Sequence, residues 1–342
     1  MSGPESTFGR STHQGIELAV EEANLKGGVQ GKKIRLIHYD TQGKADEAIA
    51  AVTKLITQDK VHLILGEVAS SLSLAAAPVA QSYQVPMMSP ASTHPRVTQL
   101  GNYIFRGCFI EPFQGSVMAK FARNHLNLKK AAILRDQESE YSHELAKFFI
   151  KDFRQLGGTV LLDLAYHSTG ESTSSLLLKI KEAKPDLIFI PGYYQDVQKI
   201  GKEVKKLGIR AVLLGGDGWE GLKPNPQDPF ALFGAYFSSH FSSDDRSPFV
   251  QSFNDKFKIR FGVLPNSLAA LGYDAASLAL NALGRAKNLT HSEIRTAVQN
   301  TKNFEGVTGL ISINSQRNAV KPAVVIKVEP SGTFSYVASI NP

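Results

Sequence analysis

A glycine-rich stretch in the second half of the chain has the spacing of a nucleotide-binding motif. Residues 211–214 read AVLL and residues 216–221 read GDGWEG, which fits G-x-G-x-x-G. Such glycines permit a tight turn and a close approach to a pyrophosphate, which the N-terminus of the following helix then binds. The continuation LKPNP opposes that helix, because Pro224 and Pro226 remove backbone donors and restrict their neighbours. The stretch therefore favours a strand end that presents Asp217 beside Trp219.

Four other predicted strands also end in polar or aromatic side chains. The apolar run at 61–66 leads into EVASS, and the run at 85–89 leads into PASTHP. The run at 186–191 leads into GYY, and a loop bearing Tyr141 follows the run at 131–135. Ser70 or Ser71 is predicted to cap a helix, whose N-terminus can also bind an anion. Because open α/β sheets bind ligands at the carboxyl ends of their strands, this pattern predicts a site for a small zwitterion.

Catalytic and metal-binding patterns do not occur in the sequence. It contains no G-x-S-x-G elbow, no H-E-x-x-H and no phosphate-binding loop, and its histidines are scattered without ligand spacing. The single cysteine, Cys108, excludes an internal disulfide and any site with several thiolates, and is predicted to be a buried small hydrophobe. We therefore expect no catalytic residue, no metal site and no cofactor. A NAD-dependent enzyme is an alternative that rests on GDGWEG alone.

Composition excludes several other classes of protein. The chain has 342 residues, 42% hydrophobic content, a formal charge of +7 and a pI near 9.3. Its cations fall in pairs such as Lys129-Lys130 with acids between them, which is typical of solvated helix faces and argues against nucleic acid as a partner. No apolar run approaches the roughly 18 residues of a membrane span. The first residues, MSGPES, lack the features of an export signal.

Short apolar runs alternate with amphipathic stretches along most of the chain. This alternation predicts βαβ units with parallel strands and helices on both faces, and the length suggests about two domains. We predict two similar doubly wound α/β lobes. The predicted helices span 14–26, 46–58, 71–83, 112–126, 143–156, 173–183, 195–207, 248–260, 267–286 and 290–301. The predicted strands span 33–39, 61–66, 85–89, 103–106, 131–135, 160–166, 186–191, 211–214 and 233–241, and further strands fill the last 35 residues.

Five stretches, taken in order, carry a recognisable pattern. They are SGPESTFGRSTHQGIELAVEEANLKGGVQGKKIRLIHYD, GEVASSLSLAAAPVAQSYQVPMMSPASTHPRVT, PDLIFIPGYY, LLGGDGW, and GVTGLISIN with KPAVVIKV. Together they resemble type I periplasmic binding proteins of ABC transporters, in the leucine/isoleucine/valine-binding branch. The resemblance covers essentially the whole chain. It implies two Rossmann-like lobes joined by three crossover strands, with a ligand cleft between them and hinge closure on binding. Lobe 1 would comprise 1–112 and 244–318, and lobe 2 would comprise 113–243 and 319–342.

The resemblance also implies a division of labour at the ligand. Ser70 and Thr93 should hold the α-carboxylate of an amino acid, and Asp217 should pair with its α-ammonium. Asp217 is one methylene shorter than the glutamate of some members, so the contact to the ammonium could shift or pass through water. Tyr141 and Tyr193 should close over the ligand. The complete set of expected ligand-binding residues is Phe8, Val68, Ser70, Ala91, Ser92, Thr93, Tyr141, Tyr193 and Asp217.

One departure from the family concerns the first strand. Family members carry an export signal and then an apolar strand that leads into the segment matching Ser2-Gly3-Pro4. That strand is central and lies between the strands expected at 33–39 and 61–66. We therefore expect that the chain starts downstream of the usual beginning and that lobe 1 lacks its first strand. The structure should show a gap or a substitute strand at that place.

The sequence thus predicts an extracytoplasmic solute-binding protein that acts by binding and closure. Its expected partners are a small amino acid, in the first place a branched-chain one, or a similar carboxylate, together with the membrane permease of an ABC importer. We expect a monomer. The alternative is a sensory ligand-binding module of the same fold for amides, aromatic acids or amino acids. No helix-turn-helix segment precedes the first lobe, which disfavours a sugar-responsive repressor.

Overall fold

The computed structural model describes residues 1–167, 173–222 and 232–342. Pro224 and Pro226, invoked above against a nucleotide-binding helix, lie outside these residues. The chain forms two compact units. Unit 1 comprises Met1–Ile110, Asp245–Pro322 and Pro342, and unit 2 comprises Glu111–Asp244 and Ala323–Asn341. The chain passes between the units at 110/111, 244/245 and 322/323, where the sequence suggested 112/113, 243/244 and 318/319.

Helices occur along both units, and most begin and end within a few residues of their predicted bounds. A π-helical turn at Phe121–His125 continues α5, and a 3-10 turn at Asp217–Trp219 follows the seventh strand. The α-helices are α1 (Ser6–Leu25), α2 (Ala45–Thr57), α3 (Ser70–Ser82), α4 (Arg96–Gln99), α5 (Glu111–Lys120), α6 (Glu140–Gln155), α7 (Ser174–Ala183), α8 (Tyr194–Lys206), α9 (Pro248–Phe261), α10 (Ser267–Arg285) and α11 (His291–Gln299).

The strands are short and cluster around the predicted apolar runs. They are β1 (Ile64–Leu65), β2 (Met87–Ser89), β3 (Ile104–Arg106), β4 (Lys130–Asp136), β5 (Thr159–Tyr166), β6 (Leu187–Ile190), β7 (Val212–Gly215), β8 (Tyr236–Ser239), β9 (Phe304–Gly306), β10 (Gly309–Ile313), β11 (Ala319–Val320), β12 (Ala323–Val328) and β13 (Phe334–Ile340).

Unit 2 contains one sheet of seven strands in the order β13-β12-β8-β7-β6-β4-β5. The strands from β5 to β8 run parallel, and β12 and β13 add an antiparallel edge. All four residues of β6 are buried, which is the pattern of a parallel strand covered by helices on both faces. The side chains of Ile188 and Ile190 pack into a core with Leu134 and Val197.

Unit 1 contains two smaller sheets. The strands β1, β2 and β3 form a parallel sheet in that order, and β11, β10 and β9 form an antiparallel one. Helices α1 and α10 pack closely against each other, because glycines face the partner backbone at the crossing. A Cβ on Gly15 would lie 1.9 Å from the carbonyl oxygen of Ala269, so no larger residue fits there.

The predicted strand at 33–39 is wrong. These residues are not part of any strand, and among the described residues the backbone of 35–39 makes no hydrogen bond to another backbone segment. A strand needs a hydrogen-bonded neighbour, and a cavity of about 500 Å³ lies where that neighbour would be, between 32–41 and 60–69. The expected gap in lobe 1 is therefore present.

Two local predictions need correction. The helix predicted at 14–26 begins eight residues earlier, at Ser6, because Phe8 and Thr12 supply one more buried turn that the polar sequence conceals. Ser70 does not cap α3, since Ala69 occupies that position and Ser70 is the first helical residue. The Gly27-Gly28 stop after α1 is confirmed, with φ angles of 100° and 82°. None of the described helices combines the length and the apolar character that crossing a membrane requires.

Candidate ligand-binding site

The polar residues at the carboxyl ends of β1 and β2 form a buried group in unit 1. We call Ser70, Ser73, Ser89, Ser92 and Thr93 the hydroxyl cluster, and all five are almost fully buried. They come together because β1 and β2 are parallel neighbours, with Leu65 beside Met88, so the segments that follow leave the same edge of the sheet.

The hydroxyl cluster is held together around two backbone carbonyls. Ser89 Oγ donates to the carbonyl oxygen of Glu67 at 2.6 Å and accepts from the amide of Ser92 at 2.9 Å. Ser92 Oγ donates to the carbonyl oxygen of Val68 at 2.9 Å and lies 2.7 Å from Ser73 Oγ. Most of these hydroxyl hydrogens are therefore used inside the cluster, which fixes the two loops rather than presenting donors.

A buried arginine fixes the second loop. Arg106 has no exposed surface, and its guanidinium donates to the carbonyl oxygens of Ser92 at 2.6 Å and His94 at 2.7 Å. Arginine stays protonated in proteins, so this contact places a permanent positive charge directly beneath the loop. Both the charge and the fixed backbone favour an anion at this end of unit 1.

The N-terminus of α3 offers donors at the same place. The first intrahelical bond runs from the amide of Ser73 to the carbonyl oxygen of Ala69, so the amides of Ser70, Ser71 and Leu72 have no intrahelical acceptor. Ser70 Oγ accepts from the amide of His94 at 3.3 Å, a role that leaves its own hydrogen able to donate. These groups, together with the partial positive charge of the helix end, suit a carboxylate.

A second polar group lies in unit 2, centred on Asp217. We call Gln114, Tyr141, Asp217 and His240 the Asp217 cluster. Asp217 Oδ1 accepts from Gln114 Nε2 at 2.8 Å and from the hydroxyl of Tyr141 at 2.9 Å, and His240 Nε2 lies 3.1 Å from Oδ2. A carboxylate has about four acceptor positions, so these contacts occupy three and leave one for a further donor. The side chain of Asp217 retains 11% exposure.

Tyr141 holds Asp217 through a hydroxyl group that both donates and accepts a hydrogen bond. It donates to Asp217 and accepts from the amide of Gly218 at 3.0 Å. Burial, followed by the nearby Asp217 carboxylate, raises the pKa of Tyr141 well above its usual value, so the phenol stays protonated and remains a donor. The ring of Tyr141 stacks on that of Tyr193, with centroids 5.2 Å apart and an angle of 14° between the planes.

The glycines of GDGWEG serve this aromatic packing. A Cβ on Gly216 would lie 2.5 Å from the hydroxyl oxygen of Tyr141, and one on Gly218 would lie 2.7 Å from the carbonyl oxygen of Gly192. Trp219 is buried and donates from Nε1 to the carbonyl oxygen of Ile190 at 2.9 Å. The motif thus leads into a single 3-10 turn that orients Asp217, and its glycines are explained without a pyrophosphate.

The structure divides the predicted ligand-binding residues between the two units. Val68, Ala91 and three members of the hydroxyl cluster, Ser70, Ser92 and Thr93, follow β1 and β2 in unit 1. Phe8 also belongs to unit 1, where it is buried in the first turn of α1. In unit 2 the remaining three residues meet at Tyr141, which donates to Asp217 and stacks on Tyr193.

Sequence reasoning missed several polar residues of these groups. Gln114 lies within a helix whose pattern gives no reason to single it out, and His240 is one of the histidines without ligand spacing. Arg106 ends a buried strand and resembles any surface cation in the sequence. The only available signal was its position at a strand end, beside a run of small polar residues.

The chain has two α/β units, and each carries a fixed polar group at the carboxyl ends of parallel strands. This arrangement is that of a ligand-binding protein with doubly wound units. Comparisons with known proteins give the family. The family model described as periplasmic binding protein matches residues 1–333. The chain therefore belongs to the periplasmic binding protein family, and its fold is that of the type I members.

Three relatives illustrate the similarity. The "Leu/Ile/Val-binding protein homolog 2" of Brucella abortus is 26% identical over 324 residues, covering 92% of this chain and 84% of that protein. The leucine-binding protein LivK of Thermotoga maritima is 37% identical, with a TM-score of 0.93 over 100% of this chain and 97% of the other. LivJ of Streptococcus pneumoniae, solved with isoleucine, is 31% identical, with a TM-score of 0.90 and coverage of 100% and 97%.

Proposed function

We propose that this protein is the extracytoplasmic solute-binding component of an ABC importer and that its ligand is a branched-chain amino acid. The relatives described above support the ligand class, since they include Leu/Ile/Val-binding and leucine-binding proteins. The observation that carries the proposal is the carboxylate of Asp217, which is held by three fixed contacts and retains an acceptor position. The permease partner and hinge closure on binding are parts of the same proposal, as is a monomeric state.

The polar group of unit 1 accounts for the α-carboxylate. In this proposal the carboxylate accepts from Ser70 Oγ and from backbone amides at the start of α3, while Thr93 and the backbone near Ala91 complete the set. Hydrogen bonds to a charged acceptor are about twice as strong as neutral ones. Arg106 contributes through its charge and by holding the loop that carries Ser92 and Thr93.

The Asp217 cluster accounts for the α-ammonium. Gln114 and Tyr141 both donate to Oδ1, so the acceptor position that remains is on Oδ2, beside His240. An ammonium at that position gains a charge-assisted hydrogen bond to a carboxylate that needs no rearrangement. We propose that Tyr193, Val68 and Phe8 provide the apolar surface for the side chain of the amino acid.

Substitution of Asp217 tests the proposal with matched ligands. Asp217→Asn keeps Oδ1 for Gln114 and Tyr141 but removes the negative charge. We expect isoleucine affinity, measured by isothermal titration calorimetry, to fall by about 100-fold or more, since breaking a buried charge pair costs about 3–5 kcal/mol. Binding of 3-methylpentanoic acid, which is isoleucine without its ammonium, should be weak and nearly equal in both proteins.

Two controls accompany this experiment. Asp163→Asn removes an exposed carboxylate of unit 2 that pairs with Arg135, and it should leave isoleucine binding unchanged. Phe8→Leu should weaken binding much less than Asp217→Asn, because it changes only apolar contact. If Asp217→Asn binds isoleucine as tightly as the unsubstituted protein, the assigned role of Asp217 is wrong.

A further inference from the structure

His240 is a titratable residue in direct contact with Asp217. It follows β8, and β8 runs parallel to β7 with Phe237 beside Gly215. The residues just beyond these two strands therefore meet at one edge of the sheet, where His240 Nε2 lies 3.1 Å from Asp217 Oδ2. The side chain of His240 is 1% exposed, so protein encloses the imidazole. Both residues belong to unit 2.

The carboxylate of Asp217 has one contact that can carry a positive charge. Its other partners, Gln114 and Tyr141, are neutral donors, and the raised pKa of Tyr141 keeps the phenol neutral. Within the described residues, no lysine or arginine pairs with Asp217. A largely buried carboxylate without a cation is unfavourable, because it has lost much of its hydration. His240 can supply the missing positive charge in its protonated form.

The ligand ammonium assigned to Asp217 and the imidazole of His240 share one oxygen atom. Gln114 and Tyr141 both bind Oδ1, so the imidazole and an ammonium must both bind Oδ2. Two donors on one carboxylate oxygen lie about 5 Å apart, and like charges at that distance repel strongly in a partly buried site. A neutral His240 leaves the ammonium as the only cation beside Asp217. A protonated His240 places two cations beside one carboxylate.

Other titratable groups of unit 2 lie near His240. The carboxylate of Glu220 accepts a hydrogen bond from the last residue of β8, and Glu111 lies in the first turn of α5, which packs on β8. No charged residue occurs in β7, and Lys327 of β12 lies at the far end of β8. Both glutamates remain when His240 is substituted, so a variant separates their titration from that of the imidazole.

We propose that His240 determines the charge of the ligand group that Asp217 accepts: an ammonium binds when the imidazole is neutral and is excluded when the imidazole is protonated. This inference rests on the proposed function. Imidazole changes its charge between about pH 5 and 8, so the selection operates near neutrality. Binding of an amino acid releases the proton of His240 to the solvent, and the ammonium replaces the positive charge that this proton supplied.

Isothermal titration calorimetry in two buffers counts the released protons. Isoleucine is titrated into the protein at the same pH in buffers that differ in enthalpy of ionisation, and the difference in measured heat gives the number of protons released. The charges of isoleucine itself do not change between about pH 5.5 and 7.5. At about pH 6 we expect about half a proton or more per isoleucine bound, and at about pH 8 almost none, because His240 is then neutral before binding.

Substitution of His240 gives the second readout. Isoleucine affinity should fall by about 10-fold from about pH 7.5 to about pH 5.5, the effect of one imidazole that must lose its proton before the ligand binds. His240→Gln keeps an N–H donor of similar reach but has no titrating group. In this variant the affinity should change by less than about 2-fold over the same range, and proton release should disappear. A purely structural histidine would leave the pH profile of the variant unchanged.

Two controls accompany these measurements. His167→Gln removes a half-exposed histidine of unit 2 that lies 3.5 Å from the carboxylate of Glu138, and it should leave the pH profile unchanged. 3-Methylpentanoic acid lacks the ammonium, and its weak binding should strengthen toward about pH 5.5, because protonated His240 then compensates Asp217. Titration of His94, whose amide donates to Ser70, would act on the carboxylate that both ligands share and so change both affinities alike.

Two outcomes would overturn the proposal. They are isoleucine binding without proton release at about pH 6, and a His240→Gln variant that keeps the pH profile of the unsubstituted protein. The proton count uses the unsubstituted protein, so it decides the question even if the variant does not fold. Both outcomes require that isoleucine binds, which distinguishes them from failure of the proposed function, in which isoleucine binds at no pH.

Discussion

The two units contain sheets of very different completeness. In unit 2 the run β4 to β8 is continuous, and every strand between the edges has a partner on both sides. In unit 1 the parallel sheet has three strands, and the next extended segment, 33–39, is separated from it by the cavity of about 500 Å³. Both regions contain a short run with two isoleucines, KIRLIHY and DLIFI, although KIRLIHY also carries three basic side chains.

The contrast between β6 and residues 33–39 shows that a β-prone run forms a strand only when a hydrogen-bonding neighbour is present. Leu187–Ile190 lies between β4 and β7 and is fully buried. Residues 33–39 have helices nearby but no paired strand, and several of their side chains are exposed. Strand propensity describes how well a residue fits a pleated, half-buried surface, so it has no effect where that surface is incomplete.

Hydrogen exchange gives the largest contrast between the two regions. We expect the amides of residues 187–190 to exchange more slowly than those of 35–39 by about three orders of magnitude or more. Opening β6 requires much of the global free energy of unfolding, about 5–15 kcal/mol, whereas 35–39 is already open. Mass spectrometry after short deuterium pulses measures both segments. Equal exchange would mean that 35–39 is paired in solution.

Truncation of one apolar residue in each region should give the next largest contrast. Ile188 has no exposed surface, and Ile188→Ala should lower the free energy of unfolding by about 3–4 kcal/mol through lost burial and a new cavity. Leu36→Ala should lower it by less than about 1 kcal/mol. Urea denaturation followed by circular dichroism measures both. A large loss for Leu36→Ala would place that side chain in a packed core.

The two units also contain a matched pair of arginines that bind backbone carbonyls. Arg106 of unit 1 is fully buried, whereas Arg123 of unit 2 donates to Leu128 and Leu156 from a half-buried position. Arg106→Met should cost about 2–3 kcal/mol, because buried carbonyl groups lose charged donors, and Arg123→Met should cost about 1 kcal/mol. The same denaturation assay compares them. Equal costs would show that burial does not decide the effect.

The smallest expected effect is a pH dependence that Lys321 of unit 1 supplies. Burial lowers the pKa of Lys321 from 10.5 to about 8, although the nearby Asp274 opposes this shift. Between about pH 8 and 10.5 the unfolded chain therefore binds a proton that the folded protein does not. The contribution of Lys321 to the free energy of unfolding should rise with pH across this window, by on the order of 1–3 kcal/mol.

Lys321→Met provides the control for this prediction. The variant lacks the titrating group, so the difference in free energy of unfolding between the two proteins should vary across the window and become constant below about pH 8. Urea denaturation at a series of pH values gives this difference. A flat difference from pH 8 to 10.5 would show that Lys321 keeps an ordinary pKa in the folded protein.

Much of the fold could be predicted from the sequence. The helical period placed α2, α6, α8 and α10 within about three residues of their true ends, because one buried face repeats along each of them. The apolar runs located β4, β6 and β7 for the same reason. The start of α1 was missed because Ser, Thr and Gly form its first turns, and these residues carry no helical signal.

The candidate site could be predicted only in part. Strand ends rich in Ser, Thr and Asp pointed to Ser70, Thr93 and Asp217, since the carboxyl ends of parallel strands lie at one edge of a sheet. Gln114 and His240 could not be found in this way. Each is far from Asp217 in sequence and meets it only when α5, β8 and the turn after β7 have packed together.

The sequence alone determined the α/β class, the order of the helices and the strand ends that carry polar groups, because each depends on local periodicity or on neighbouring residues. Tertiary structure alone decided which donors hold Asp217, which carbonyls Arg106 binds, and that residues 33–39 remain unpaired. These features depend on atoms distant in the chain. A hydrogen bond exists only when both partners are present, and a local pattern describes only one of them.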